Sequence, residues 1–274
     1  MAVAKKFAAK FIAEPGKKFT LGKCDPRDDS AFDSKDGAKE QLAKDAAAID
    51  ALQDKLFAEG KRALLVVLQG IDCSGKDGTV RAVSNTCGPI GVTVKSYKAP
   101  SEEERSHDYL WRVHQACPPR GIIGIFNRSH YEDVLVVKVE KLAEPAAIER
   151  RYDEINQFEK LISNSGTHIL KFMLNVSKEE QAIRLQERVD SQDKQWKFKL
   201  SDLATRAKWA EYMAAYETAV SRCSTETAPW HIIPSDRNWA RNAAVARIVR
   251  ETLEEMNPQY PVPGDWDPKA VQIV

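Results

Sequence analysis

The densest chemical signal in the chain is the run Gly70-Ile-Asp-Cys-Ser-Gly-Lys-Asp-Gly78, which fits the spacing GxxxxGK. Glycines let the backbone curl until successive N–H groups point inward. Lys76 adds a cation, and a helix starting behind the loop adds a partial positive charge. Three sources of positive potential converge on one anion, so Gly70, Cys73, Ser74, Gly75, Lys76 and Gly78 read as the lining of a phosphate-binding loop. The Cys73 thiol itself has no evident role. Two carboxylates depart from the ordinary loop: Asp77 stands where Ser or Thr normally holds magnesium, and Asp72 puts an acid inside the cradle. A carboxylate beside phosphates repels them unless a divalent cation lies between. Asp72 is therefore assigned to magnesium, or to positioning an attacking phosphate oxygen through it. Asp77 keeps two readings, a residue of the phosphate site or a first-turn acid favoured by the helix dipole.

A second constellation, Asn127-Arg-Ser-His-Tyr-Glu-Asp133, follows the apolar run 122–126. It lies at the carboxyl end of a parallel strand, where open α/β sheets bind ligands. Asn127 is a neutral ligand, so the negative charge for a metal comes from Glu132 or Asp133, unless these two only cap the next helix. Arg128 faces phosphate. Further on, Ser177-Lys-Glu-Glu180 is a capping box opening a helix that carries Arg184 and Arg188 on one face, with Lys194 and Lys197 just beyond. Alone this reads as a solvated helix balanced by Glu187 and Asp190. Beside a phosphate loop it reads as a basic lid, about residues 178–205, whose arginines stabilise charge spread over a transferring group. Arg105 and Arg112 are seven apart in a helix expected over 102–115 and offer an acceptor-phosphate surface. His107 and His114 are packing or capping residues, and Trp111, Trp196, Trp209 and Trp239 belong first to the core, with one free to stack on a base.

These groups need a frame. Continuous apolar runs at 63–69, 92–97, 122–126, 168–176 and 230–234 suit strands covered on both faces. Helical patterns separate them at 36–60, 75–86, 102–115, 146–163, 178–190, 203–222 and 239–256. Such alternation implies right-handed crossovers and a parallel sheet between helices, an α/β fold. Residues 1–35 show no sustained period and read as an extended arm that packs or swaps. The tail 258–274 is too proline-rich to continue a helix.

Composition narrows the classes. With 274 residues and 43% apolar content, one elaborated domain is the default. Lys plus Arg (41) nearly balance Asp plus Glu (40), so no global field points to nucleic acid or a membrane surface. Five cysteines without a CxxC pair suit reduced thiols and a cytoplasmic location. Lysines interrupt the apolar residues near the N-terminus, so neither a signal peptide nor a transmembrane helix is expected.

Taken together, GIDCSGKDG at 70–78, APSEEERSHDYLWR at 99–112, FNRSHYEDVLVVKV at 126–139, the stretch 176–198 and APWHIIPSDRNWAR at 228–241 resemble the second family of polyphosphate kinases. The resemblance runs from about residue 36 to 257. It implies a P-loop three-layer α/β/α sandwich with a central parallel sheet, similar to the thymidylate kinases, with a helical lid. It implies reversible, magnesium-dependent phosphoryl transfer from inorganic polyphosphate to adenine nucleotides, with manganese as an alternative ion and guanine nucleotides left open as acceptors. FNRSHYEDVLV looks like the subgroup acting on both AMP and ADP to give ADP and ATP. The resemblance places Asp72 and Lys76 in the catalytic loop, Arg128, Glu132 and Asp133 in the second acidic motif, and Arg184 and Arg188 in the lid, with Glu132 helping to set acceptor preference. Asn127 departs from the aspartate seen elsewhere in the family, which puts a charged metal contact there in doubt. Charge-rich helices and the arm suit a homodimer or homotetramer. Two rivals remain on the residues alone: an ATP-dependent nucleoside monophosphate kinase, and a sensor whose loop only binds.

Overall fold

A computed structural model describes residues 7–85, 87–262 and 264. Helix α1, Lys35–Glu59, starts where Ser34 accepts from the Gly37 N–H at 3.0 Å and stops at Gly60, whose φ of 61° is the left-handed geometry glycine takes without strain. Strand β1, Ala63–Gln69, is buried along its whole length and feeds the loop that opens α2, Lys76–Ser84. Then come β2 (Val92–Ser96), α3 (Glu102–Ser106), α4 (Trp111–Ala116), β3 (Ile123–Asn127), α5 (Val136–Val139), α6 (Pro145–Asn164) and β4 (Thr167–Asn175). The chain continues through α7 (Lys178–Asp190), α8 (Leu200–Ala207), α9 (Trp209–Cys223), β5 (Trp230–Pro234) and α10 (Asn238–Met256).

The strands form one all-parallel sheet in the order β2-β3-β1-β4-β5. Alternate residues of β1 serve two cores. Leu64, Val66 and Leu68 pack with Ile49 and Leu56 of α1 and with Val245, Ile248 and Val249 of α10. Leu65 and Val67 pack with Tyr152, Ile155 and Phe158 of α6 and with Tyr216, Ala219 and Val220 of α9. Apolar faces of helices therefore cover both faces of the sheet, the three layers that the continuous apolar strands require. The chain leaves β1 toward β2 and β3 on one side and later adds β4 and β5 on the other. The carboxyl end of β1 is thus the switch point where such sheets open a crevice.

Three expectations change in detail. The helix expected over 102–115 is two short helices. Between them Asp108 accepts from the Leu110 N–H at 2.9 Å, and its carbonyl takes the Trp111 N–H at 3.1 Å, a local turn that outcompetes the helix. Arg105 and Arg112 therefore do not share a helix face. The helix expected over 203–222 is likewise divided at Lys208, where α8 closes through the Lys208 N–H to Thr205 O bond at 3.2 Å. Residues 7–34 carry more structure than their lack of period suggests. Phe7 packs on Phe11 and Phe32, and Ile12 forms an antiparallel bridge with His231, so the arm covers the free edge of β5. Lys5 and Lys6, and the tail beyond 264, lie outside the described residues. Among the described residues no helix is long and apolar enough to cross a membrane.

Candidate active site

At the switch point the loop 70–78 curls around its own lysine. Gly70 and Gly75 take φ of 152° and 100°, and a Cβ on Gly70 would fall 2.5 Å from Ser74 Oγ and 2.8 Å from Leu174 O, so the bend admits no side chain there. Lys76 folds back to donate to Gly70 O at 2.6 Å and Ile71 O at 3.2 Å. Burial, with the nearby Arg128 charge adding to it, pulls its ammonium down to about 8.

Facing the loop, β3 delivers Asn127 and Arg128. Asn127 Nδ2 donates to Asp77 Oδ1 at 2.7 Å. Asp77 is thus a first-turn acid of α2 that also anchors the neighbouring strand end. Arg128 has φ 63°, a left-handed conformation costly for a non-glycine residue, and uses it to span two carboxylates. Its Nη2 lies 2.6 Å from Asp72 Oδ1 and its Nη1 3.1 Å from Glu132 Oε2. Glu132 and then Asp72 raise the Arg128 pKa against the cost of burial.

What holds this turn is buried beneath it. Ser129 Oγ takes the Gln69 amide at 3.0 Å and the Tyr131 N–H at 3.1 Å. His130 and Tyr131 both meet Glu159 Oε1, at 3.1 and 2.8 Å. The other oxygen of Glu159 pairs with Lys171 Nζ at 2.6 Å, and Lys171 also donates to Tyr131 Oη at 2.8 Å and Cys223 O at 2.6 Å. Burial disfavours the Glu159 carboxylate, but Lys171 and His130 outweigh it and hold Glu159 below the usual carboxylate range.

The basic wall comes from α7 and the segment after it. Arg184 donates to Cys73 O at 2.9 Å, to Ser235 O at 2.8 Å and to Asp236 O at 2.9 Å, while Gln181 reaches Asp72 O at 3.0 Å. The first turns of α7 are thereby latched to the phosphate loop. Arg188 lies 3.5 Å from Asp202, whose carboxyl burial and the Asp72 charge push up. Lys194, Trp196 and Lys197 continue along the rim of a cleft of ≈ 1160 Å³ that the loop, Asn127, Arg128 and Glu132 also line.

Most of the expected site residues meet in this one cleft, and four do not line it. Ser74 is buried under the loop. Asp133 turns away to pair with Arg151 at 3.3 Å. Arg112 is buried beneath the Tyr97 ring and bonded to Lys98 O at 3.0 Å, and Arg105 donates to Pro100 O at 2.7 Å. Trp196 is not a core residue: it is 76% exposed at the rim, with the Lys197 ammonium 5.1 Å from its ring centre. Arg241, Lys199, Tyr212 and Tyr216 also line the cleft, beyond the residues expected from sequence. The available signal for Arg241 was a charged residue inside the apolar stripe of α10, and for the clamp it was Lys171 within an otherwise apolar strand.

A parallel sheet with a lysine-bearing phosphate loop at its switch point, an arginine between two carboxylates, and basic residues along the rim define the class of P-loop phosphotransferases. Comparison with known proteins narrows this. Residues 31–261 match the model of polyphosphate kinase 2 (PPK2). The chain is 48% identical over 263 residues to the AMP/ADP-polyphosphate phosphotransferase of Meiothermus ruber, covering 96% of this chain and 98% of that one. It is 37% identical to the ADP-polyphosphate phosphotransferase of Rhodopseudomonas palustris, over 92% of this chain and 91% of that one. The crystal structure of polyphosphate kinase 2 from Arthrobacter aurescens TC1 superposes with a TM-score of 0.93 at 41% identity, covering 98% of this chain and 96% of that one. The chain belongs to the polyphosphate kinase 2 family.

Proposed function

We propose that this protein transfers a phosphoryl group from inorganic polyphosphate to AMP and to ADP, forming ADP and ATP, reversibly and in line. The observation that carries the reading is the convergence of Lys76, Asp72, Arg128 and Glu132 on the floor of one cleft whose rim is basic. The acceptor range follows the Meiothermus ruber relative, named for both AMP and ADP.

Magnesium fits the donor set. Asp72 and Glu132 are hard oxygen ligands that approach one another only with a cation, here the Arg128 guanidinium, between them. Among the described residues no cluster of three or more His, Cys, Asp or Glu makes a protein cage. One or two carboxylates plus substrate phosphates is the usual magnesium arrangement, so Asp72 and Glu132 would hold the ion. Bound there, it would neutralise charge on the reacting phosphate oxygens.

The chain's own groups do the rest. The loop N–H groups and Lys76 bind the anion, and Arg128 orients both carboxylates. Arg184 fixes the loop from behind through Cys73 O, while Arg188, Lys194 and Lys197 balance charge along the rim. Asp72 and Glu132 are engaged by Arg128, no histidine lines the cleft, and burial pushes the Cys73 thiol up to about 11, which supports direct transfer between bound phosphates. The same reading places the protein in the cytoplasm as a homodimer or homotetramer, with exposed Leu200 and Leu203 of α8 as apolar area for contact between copies. The test is a time course with long-chain polyphosphate, magnesium and either acceptor. ATP from ADP, and ADP then ATP from AMP, is expected. ATP from ADP alone would remove AMP from the proposal.

A further inference from the structure

Arg241 of α10 is 2% exposed, yet it lines the cleft. Its guanidinium lies against the phosphate loop. Nη1 donates to Ser74 O at 3.3 Å and Asn238 Oδ1 at 2.6 Å, Nε to Thr79 Oγ1 at 3.0 Å and Asn242 Oδ1 at 3.1 Å, and Nη2 to Asn242 Oδ1 at 2.9 Å. Every one of these partners is neutral, and among the described residues the two hydrogens of Nη2 meet one acceptor, Asn242 Oδ1. Burial, and after it the like charge of Arg184, pull its pKa down to about 9. A buried guanidinium with no carboxylate beside it is costly, and an arriving anion removes that cost.

The loop is shaped to admit this group. A Cβ on Gly75 would fall 2.0 Å from Arg241 Nη1, and one on Gly78 would fall 3.1 Å from Nη2. Gly78 sits inside α2, where glycine weakens a helix, and the neighbouring guanidinium accounts for it. Were propping the loop the only role, a neutral amide could donate to Ser74 O without burying a charge. On this side the cleft presents Asn238, Arg241, Asn242 and Arg184, a polar and cationic wall suited to a chain of phosphates.

We propose that Arg241 is a further donor-recognition residue: its guanidinium holds a phosphoryl unit of the polyphosphate chain where that chain passes the loop beside Asn238 and Asn242. The proposal rests on the polyphosphate reading above. It makes donor affinity, rather than acceptor affinity, depend on a charge at this position.

The experiment titrates the full-length protein with tripolyphosphate and, separately, with AMP, in the wild type, Arg241→Gln and Arg241→Lys, by calorimetry. Loss of a charge-assisted hydrogen bond weakens binding about 10- to 100-fold. Arg241→Gln is expected to lose that much affinity for tripolyphosphate while AMP affinity stays within about twofold. Arg241→Lys, which keeps the charge without the planar fork, is expected to fall between. Unchanged tripolyphosphate binding in Arg241→Gln overturns the proposal. So does equal loss of both ligands in both variants, which would make Arg241 a support of the loop and no more. If Arg241→Gln does not fold, Arg241→Lys decides alone: selective weakening of tripolyphosphate supports the proposal, and unchanged or parallel binding overturns it. Wild-type protein that ignores tripolyphosphate would instead bring down the polyphosphate reading, and this proposal with it.

Discussion

Lys171→Met tests whether the Arg128 turn is held from below. Lys171 and Glu159 are fully buried, 2.6 Å apart, and Lys171 also serves Tyr131 Oη and Cys223 O. Methionine fills a similar volume but leaves the Glu159 carboxylate facing only His130 and Tyr131 in a dry interior. Removing one partner of a buried pair costs about 3–5 kcal/mol, and a protein of this size loses about 2–4 °C of Tm per kcal/mol, so the melt should fall by roughly 6–20 °C. Glu159→Met alone strands the ammonium in the same way. The double variant removes both charges, and exchanging a whole buried ion pair for apolar side chains of similar volume is often neutral or stabilising. It should therefore be more stable than the sum of the singles, with a coupling of about 0.5–3 kcal/mol. Urea unfolding of all four proteins measures this, with kcat at a temperature where all are folded. Because His130 and Tyr131 anchor the turn that aims Arg128, kcat should fall in the folded single variants. Additive destabilisation, or a Lys171→Met cost below about 1 kcal/mol, would refute the clamp.

Three further outcomes follow from the loop. Asp72→Asn should lower kcat by orders of magnitude with an unchanged melt, and retained turnover would remove Asp72 from the mechanism. Gly75→Ala should abolish donor binding, since its Cβ would meet Arg241 Nη1 at 2.0 Å at a φ of 100°; a crystal structure or tripolyphosphate titration checks this. The Lys76 ammonium, held down to about 8 from its ordinary 10.5, should make kcat/KM for polyphosphate fall as pH rises through about 8. Between those values the unfolded chain binds more protons, so the Lys76 contribution to stability rises with pH there. In Lys76→Arg the step in the pH profile should vanish; a step that persists belongs to another group.

Four strands of the sheet were legible because β1, β3, β4 and β5 are largely buried and read as apolar runs, with 63–69 and 230–234 coinciding with β1 and β5 to the residue, whereas the edge strand β2 is mostly exposed. The phosphate loop was legible because glycine spacing, lysine and a following helix are all local. Harder were features decided by side chains brought from afar. Asp77 gave no hint in sequence of its bond to Asn127, fifty positions on. Asp133 has the chemistry of a metal ligand in sequence, but Arg151, eighteen positions later, takes it. Arg112 is expected beside Arg105 on one continuous helix as an acceptor-phosphate surface, and the turn at Asp108 puts it under Tyr97 instead. Arg241 closes the motif at 228–241, but its place against Gly75 appears only once α10 packs beside α2.

The most direct test of the central claim is nucleotide formation from AMP by the purified protein with long-chain polyphosphate and magnesium, ATP being absent, set beside AMP with ATP and no polyphosphate. ADP followed by ATP in the first mixture is the predicted result. No product there, with ADP formed in the second, would contradict the account and make the protein a nucleotide kinase that takes ATP as donor.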